Sequence, residues 1–389
     1  MKLSLAHFSI LFLILFMGCN TMEKEPTESE EQQTQEVSYY AGEPLKVAIV
    51  GLTHTHVHWI LGREQWGDIK IVGIVEPNRD LALQYSKQHG YSMDLVHDSM
   101  ESLYNNVKPE AVTAFNDIHG HLEVVEFFAP KGIPIMVEKP LAVNWEHAQK
   151  MADLATKHQV QLLTNYETSW YGSHEKAFEW VNKAKKVGPV QRMVFHHGHP
   201  GPIEIGCNPE FLEWLTDPVL NGGGALTDFG CYGANLATWI LNGQTPKKVT
   251  AITRNYKPQK YPKVDDDATI VLDYADKQVI IQASWNWSHN RKDMEIYGTS
   301  GYVFCKNGTD MEVLEDEKAG PFTYKAQGLP IGIHDPFAYF NQVVNHNLNI
   351  EPYGVSSLEN NLLVIQILEA AKHSAKTGKT VVWEDFFKS

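Results

Sequence analysis

The sequence predicts an α/β protein in two parts: a doubly wound domain with a parallel sheet, then an α+β domain with a large, open, mostly antiparallel sheet. Three observations predict it. Short β-branched runs alternate with helix-length segments from Lys46 to Tyr166, the pattern of a parallel sheet buried on both faces. After Tyr166 the alternation stops, and strand-length segments separated by turns take over. The 389 residues are 43% hydrophobic, enough chain for two domains with full cores.

The first strand, Lys46-Val47-Ala48-Ile49-Val50, runs into a tight turn at Gly51. A second strand, Ile71 to Val75, ends at Glu76, and the helix-length segment between them completes a β-α-β unit. A unit that ends in a carboxylate is the Rossmann dinucleotide-binding arrangement, in which the carboxylate takes the ribose hydroxyls and disfavours a 2′-phosphate. Glu76 therefore favours NAD over NADP, with Arg79 near enough to soften the preference. The glycine fingerprint is incomplete: where G-x-G-x-x-G is expected the chain reads Gly51-Leu52-Thr53-His54-Thr55-His56. Only the turn-making glycine remains. Thr53 brings a side chain to where backbone should approach the pyrophosphate, and His56 replaces the glycine that lets helix and strand pack closely.

Strands over Ala111 to Phe115 and Pro134 to Val137, with a helix over 121–128 between them, continue the alternation. The second of these delivers Glu138-Lys139-Pro140 at its carboxyl end, where open α/β sheets bind ligands. A strand ending in E-K-P, with Asn116 and His119 in N-x-x-H spacing, resembles the Gfo/Idh/MocA oxidoreductases. So does Gly222-Gly223-Gly224-Ala225-Leu226-Thr227-Asp228 followed four residues later by Tyr232, similar to the family's G-G-G-x-L-x-D with a later His or Tyr. The tyrosine version is like that of the glucose-fructose oxidoreductases. The resemblance covers about residues 44–385. It implies a lysine beside the nicotinamide and the reacting hydroxyl, so Lys139, Asp228 and Tyr232 are the expected catalytic residues. Gly51, Thr53, His54, His56, Glu76, Asn116, His119, Glu138 and Lys139 are the expected cofactor contacts.

Moving a hydride from a sugar carbon requires the hydroxyl proton to leave in the same event, so a positioned acid/base is needed. Tyr232 serves if the Lys139 charge lowers its pKa, and Asp228, on the same helical face, holds the hydroxyl or orients the lysine. Thr227 or Asp228 also reads as the N-cap of that helix. Trp170 and Trp285 are candidate stacking faces for a sugar, as are Trp214 and Trp287. His197 and His199, preceding Pro200-Gly201-Pro202, are candidate hydrogen-bonding groups for substrate. One departure from the family stands out: Tyr166 is followed by Glu167 rather than arginine, so the resemblance does not carry anionic-substrate recognition to that point. The histidine clusters lack metal-site spacing, so no bound metal is expected.

The N-terminus reads Met1-Lys2, an apolar run from Phe8 to Met17, then Gly18-Cys19. The run is about half the ~20 residues a spanning helix requires and matches a secretory leader. The small residue before Cys19 resembles a bacterial lipobox, implying lipidation at Cys19 and an exported, lipid-anchored protein. The organisation read from this is a leader over 1–18, an acidic tether over 19–43, an NAD-binding domain over 44–165 and a substrate-binding and oligomerisation domain over 166–389. The meander expected in the second domain leaves a sheet face on which a second copy could pack to form a homo-oligomer. A formal charge of -14 argues against nucleic acid as a partner. Cys207, Cys231 and Cys305 are odd in number and widely spaced, which fits small buried side chains rather than a disulfide framework.

The leading functional expectation is an NAD-dependent oxidoreductase acting on the CH–OH group of a sugar or glycoside. An unfolded exported chain cannot carry NAD with it, and that tension motivates two rivals. One is an NAD-dependent glycoside hydrolase using transient oxidation; the other is a non-catalytic sugar-binding lipoprotein.

Overall fold

The computed structural model describes residues 43–388, apart from the side chains at 64 and 65. The leader, Cys19 and the tether through residue 42 lie outside the described residues.

Six strands form the first sheet: β1 (Leu45–Val50), β2 (Ile69–Val75), β3 (Val96–His97), β4 (Ala111–Ala114), β5 (Ile135–Glu138) and β6 (Leu162–Asn165). Their order is β3-β2-β1-β4-β5-β6 and every pairing is parallel. The order reverses between β1 and β4, and that is where a doubly wound sheet opens a crevice at its carboxyl edge. Strands β1, β4, β5 and β6 are buried almost end to end, as a sheet covered on both faces requires. The covering helices include α1 (Arg79–His89), α2 (Met100–Asn106), α3 (His121–Phe128) and α4 (Trp145–His158), capped by Asn78, Ser99 and Asn144 at α1, α2 and α4.

The link between β1 and β2 departs from expectation. Instead of an α-helix it is two short 3-10 segments, Thr55–Trp59 and Arg63–Trp66. A run of Thr, His, Val and Trp has weak helix propensity, and the His54 imidazole accepts the His56 backbone N–H, which tightens the first turn.

The second sheet has nine strands: β7 (Val190–Gly198), β8 (Lys248–Arg254), β9 (Asp267–Asp273), β10 (Gln278–Ser284), β11 (Arg291–Gly298), β12 (Tyr302–Cys305), β13 (Asp310–Leu314), β14 (Phe322–Lys325) and β15 (Val381–Val382). The order is β14-β13-β12-β11-β7-β10-β9-β8-β15, antiparallel throughout except for the β7/β10 pair. Strands β9 and β10 form a hairpin, closed by the Tyr274 backbone N–H donating to the Lys277 carbonyl. Before this sheet comes α5 (Gly172–Phe178), and between β7 and β8 come α6 (Pro209–Leu215) and α7 (Ala225–Ile240). Near the C-terminus lie α8 (Pro336–Val344) and α9 (Leu358–Thr377). Helix α9 ends at Gly378, whose φ of +68° is left-handed. It packs against α7, β8 and α4.

A linear domain boundary at 165/166 misses one exchange. Helix α8 folds back onto the first sheet, where Phe337, Phe340 and Val343 join the core of β1 and β2. Each such buried side chain contributes about 1.5–3 kcal/mol. Asn341 donates to the Asp68 carbonyl at 2.6 Å, and Arg63 bridges Asp68 and Asp335 at 2.6 and 2.7 Å. The first domain is therefore completed by a segment from the far end of the chain.

Candidate functional site

β5 ends by presenting Glu138 and Lys139 at the carboxyl edge of the first sheet, facing the first turns of α7. Lys139 Nζ donates to Asp228 Oδ1 in a short, buried ion pair and to the Asp228 carbonyl at 3.3 Å. The other Asp228 oxygen accepts the Trp285 Nε1–H at 2.9 Å, so the carboxylate is held from two sides. Burial works against both charges, but each partner outweighs it: Lys139 is held above the ordinary lysine range and Asp228 below the ordinary carboxylate range.

Tyr232 lies one turn along α7 and is buried, with Lys139 Nζ at 5.1 Å from its ring centroid. The expected lowering of its pKa is reversed. Burial, followed by the Glu167 charge, pushes the phenol well above its ordinary value, so it stays protonated and acts as a donor. Capping of α7 also falls elsewhere. The helix starts at Ala225, and Asp265 takes the N–H groups of Gly224 at 3.0 Å and Leu226 at 2.7 Å. Asp265 thereby frees Thr227 and Asp228 from that duty. Asp228 can turn to the lysine.

Glu138 anchors the other side. Its Oε1 accepts from Asn165 Nδ2 at 2.7 Å, and Asn165 in turn accepts from Trp170 Nε1 at 2.9 Å. Its Oε2 sits 2.9 Å from His56 Nδ1 and 3.9 Å from His54 Nε2. His54, His56 and Glu138 thus form a cluster close enough to hold an ion, as do His196, Asp293 and Glu295; sequence spacing foresaw neither. In the first, His56 Nδ1 is bonded to Glu138 and His54 Nδ1 accepts the His56 backbone N–H at 3.1 Å; burial keeps the His54 ring neutral, so its proton sits on Nε2, which has no hydrogen-bond partner. In the second cluster, Arg291 forks onto both Asp293 oxygens at 2.9 and 2.7 Å.

At the β1 turn, Gly51 has φ of +80°, and a Cβ there would lie 2.7 Å from the Asn116 backbone. Glycine is obligatory on both counts. Glu76 stands at the end of β2 as expected, accepting the N–H groups of Leu52 at 3.0 Å and Asn78 at 2.9 Å. Burial raises its pKa. Around this crevice, Asn116 Oδ1, Thr55 Oγ1 and His54 Nε2 are buried without a hydrogen-bond partner, and such atoms call for a polar ligand. The strand-order reversal, the glycine turn, the Glu76 carboxylate and these unpaired atoms fit a dinucleotide. The arrangement differs from a regular one in two ways. The turn leads into the 3-10 segment Thr55–Trp59 instead of an α-helix, and His54 packs its ring against Phe211 and Trp214 at 5.1 and 5.6 Å. His119 packs against His147, ring centroids 4.9 Å apart, with its backbone N–H on the Leu220 carbonyl.

The substrate candidates divide. Trp285 is fully buried, so it orients Asp228 and offers no stacking face. Trp170 spends its N–H on Asn165. His199 accepts the Gly201 N–H at 3.0 Å on Nδ1, leaving Nε2 as a donor, and burial lowers its pKa to about 4. Asp228, Lys292 and Lys139 are all close enough to act on that value. His197 is wholly buried beside Tyr232, centroids 5.8 Å apart, with neither ring nitrogen hydrogen-bonded.

Two charged residues were missed. Glu167, noticed only as a missing arginine, forms an ion pair with Lys292 of β11 and accepts from Tyr171 at 2.6 Å. Lys292 stands opposite His197 in the β7/β11 register, and nothing in a strand lysine signals such a place.

Fold and corner define a nicotinamide-dependent oxidoreductase of the doubly wound type. Residues 45–166 match the oxidoreductase family described as an NAD-binding Rossmann fold, and residues 174–304 match the GFO/IDH/MocA C-terminal domain. The chain belongs to the Gfo/Idh/MocA family. It is 26% identical over 237 residues to a trans-1,2-dihydrobenzene-1,2-diol dehydrogenase of Xenopus tropicalis, covering 61% of this chain and 67% of that one. It is 21% identical to the D-xylose 1-dehydrogenase (NADP+) of Haloarcula marismortui, over 87% of this chain and 93% of that one. The aldose-aldose oxidoreductase of Caulobacter crescentus superposes with a TM-score of 0.71 at 20% identity, covering 87% of this chain and 99% of that one. An oxidoreductase of Agrobacterium radiobacter, solved with NAD+, gives 0.73 at 18% identity, covering 88% and 99%.

Proposed function

We propose that the chain oxidises or reduces a CH–OH group of a sugar or glycoside, with Lys139 and Tyr232 handling the hydroxyl proton. The carrying observation is the buried Lys139–Asp228 pair set against Tyr232 where β5 meets α7. The Gly51 turn, Glu76 and Asn116 would hold NAD, which supplies the hydride acceptor or donor when bound. Asp228, fixed by Trp285, holds the Lys139 ammonium in place. Lys139 Nζ and the Tyr232 hydroxyl both rest as donors, so the corner is set to hold a substrate oxygen and to hand it a proton as negative charge develops there. Alcohol oxidation needs the reverse, with Lys139 Nζ losing a proton to solvent before it takes the hydroxyl's. The His199 Nε2–H supplies a further donor nearby. A sugar substrate is supported by the aldose and xylose chemistry in the names of relatives.

Purified protein, with NAD or NADH, against a panel of sugars and glycosides tests this reading. NADH absorbance should change in proportion to sugar converted. Release of aglycone from chromogenic glycosides without net change in NADH would replace this reading with the hydrolase. Absence of dinucleotide binding would replace it with the binding protein. Export with lipidation at Cys19 is part of the same proposal, and is tested by radiolabelled palmitate, which should enter the wild-type chain and not Cys19→Ser.

A further inference from the structure

Lys139–Asp228 is not the only ion pair against Tyr232. Lys292, carried by β11, reaches the same phenol ring, its Nζ 5.6 Å from the centroid against 5.1 Å for Lys139. Its partner is Glu167, the second residue after β6, whose other oxygen accepts the Tyr171 hydroxyl at 2.6 Å. The two pairs differ in their contact with water. The Lys139 and Asp228 side chains are 7% and 5% exposed, whereas Lys292 and Glu167 are 21% and 31% exposed. One pair is sealed inside the corner; the other stands at its mouth, across the same ring.

From this we infer that Glu167 and Lys292 form an outer subsite that selects a neutral, hydroxyl-rich sugar ring and rejects a sugar acid. The inference rests on the redox reading above and deepens it by naming the substrate class. A carboxylate has about four lone-pair positions and an ammonium has three N–H groups, so each keeps hydrogen-bonding capacity beyond its partner. An adjacent acceptor and donor of net zero charge match two neighbouring hydroxyls of a sugar, one donating to Glu167 and the other accepting from Lys292. A carboxylate in the same place would face the Glu167 charge, while the attraction of Lys292 is already spent on Glu167. Removing the Glu167 charge should therefore convert the subsite into an anion hook.

The experiment measures kcat/KM for matched pairs, glucose with glucuronate and galactose with galacturonate, together with their p-nitrophenyl glycosides. Wild type should favour the neutral member by at least about 100-fold, of which a like-charge clash and a lost hydrogen bond are each expected to supply about tenfold. In Glu167→Gln the uronate-to-neutral ratio should rise at least tenfold, carried mainly by KM. Lys292→Gln should raise KM for the neutral sugar and leave the uronate rejected, and it reads the same subsite if Glu167→Gln does not fold. A wild type that prefers uronates, or a ratio within twofold of wild type in both folded variants, overturns the subsite while the redox reading stands. Turnover of no sugar by wild type brings down the redox reading first, and the subsite with it.

Discussion

At the carboxyl end of β1 the chain keeps a single glycine and fills the turn with imidazoles, whereas at the carboxyl end of β5 it gathers Lys139, Asp228 and Tyr232 into one buried corner. The difference follows from what each end has to do. The corner needs particular charges at particular atoms, and Lys139, Asp228 and Trp285 fix one another through directional, charge-assisted bonds. The turn has to let a ligand approach backbone. Gly51 secures the tight approach to Asn116, and the rest of the turn is rebuilt from His54, His56 and their neighbours. A broken glycine fingerprint is therefore weaker evidence against a cofactor than an intact corner is evidence for chemistry.

The largest expected effect separates the two ends directly. Lys139→Ala should lower kcat/KM by roughly 10²–10⁴-fold while NAD affinity stays within about threefold. Because the substitution strands Asp228 as a buried charge, at a cost of about 3–5 kcal/mol, Lys139→Met combined with Asp228→Asn is the control. Equal loss of turnover and NAD binding, measured by stopped assay and calorimetry, would break the distinction between the ends.

Next in size is a shift in pH dependence. Asp228 holds Lys139 protonated against burial, so alcohol oxidation should rise with pH into the alkaline range. In Asp228→Asn burial is opposed only by Cys231 and Glu138, so the Lys139 pKa falls. The rising limb should then move to lower pH by about one unit or more, a tenfold gain relative to its own plateau, although the plateau itself falls. A limb that moves upward would remove Lys139 as the titrating group.

At the opposite end, Glu76→Gln removes the charge that disfavours a 2′-phosphate, so the NADP-to-NAD preference should rise by about tenfold. The amide cannot accept both the Leu52 and Asn78 N–H groups as the carboxylate does, and stability should fall by about 1–3 kcal/mol. An unchanged cofactor preference would place the ribose away from β2.

How legible these ends were in the sequence follows the same division. The strand runs, the E-K-P terminus and the glycine loop before α7 fixed the sheet, Lys139, Asp228 and Tyr232, because local pattern and strand ends determine where such residues emerge. The Glu167–Lys292 pair was not legible. It joins the loop after β6 to a strand about 125 residues away, and pairing across that separation leaves no local periodicity. The Asp265 cap and the return of α8 to the first sheet were hidden for the same reason. Tyr232 failed differently: its neighbours were anticipated, but the magnitude of its burial was not, and burial decided the direction of its pKa.

The smallest effect concerns acid. His54 is buried and held neutral, its pKa well below the ordinary histidine value, first by burial and then by neighbouring His56 and Lys139. Unfolding exposes it to its ordinary value of about 6.5. As pH falls below that value the unfolded chain takes up a proton that the folded chain refuses, so the contribution of His54 to stability is present above about pH 6.5 and is lost on acidification. His54→Gln retains an oxygen for the His56 N–H and cannot titrate. Its unfolding free energy should therefore decline less steeply than wild type between pH 7 and 5, with the difference largest at the acid end. Parallel slopes in the two proteins would mean that His54 is protonated in the fold. It would then carry a positive charge into the turn after β1, and the two ends of the crevice would differ by charge rather than by shape.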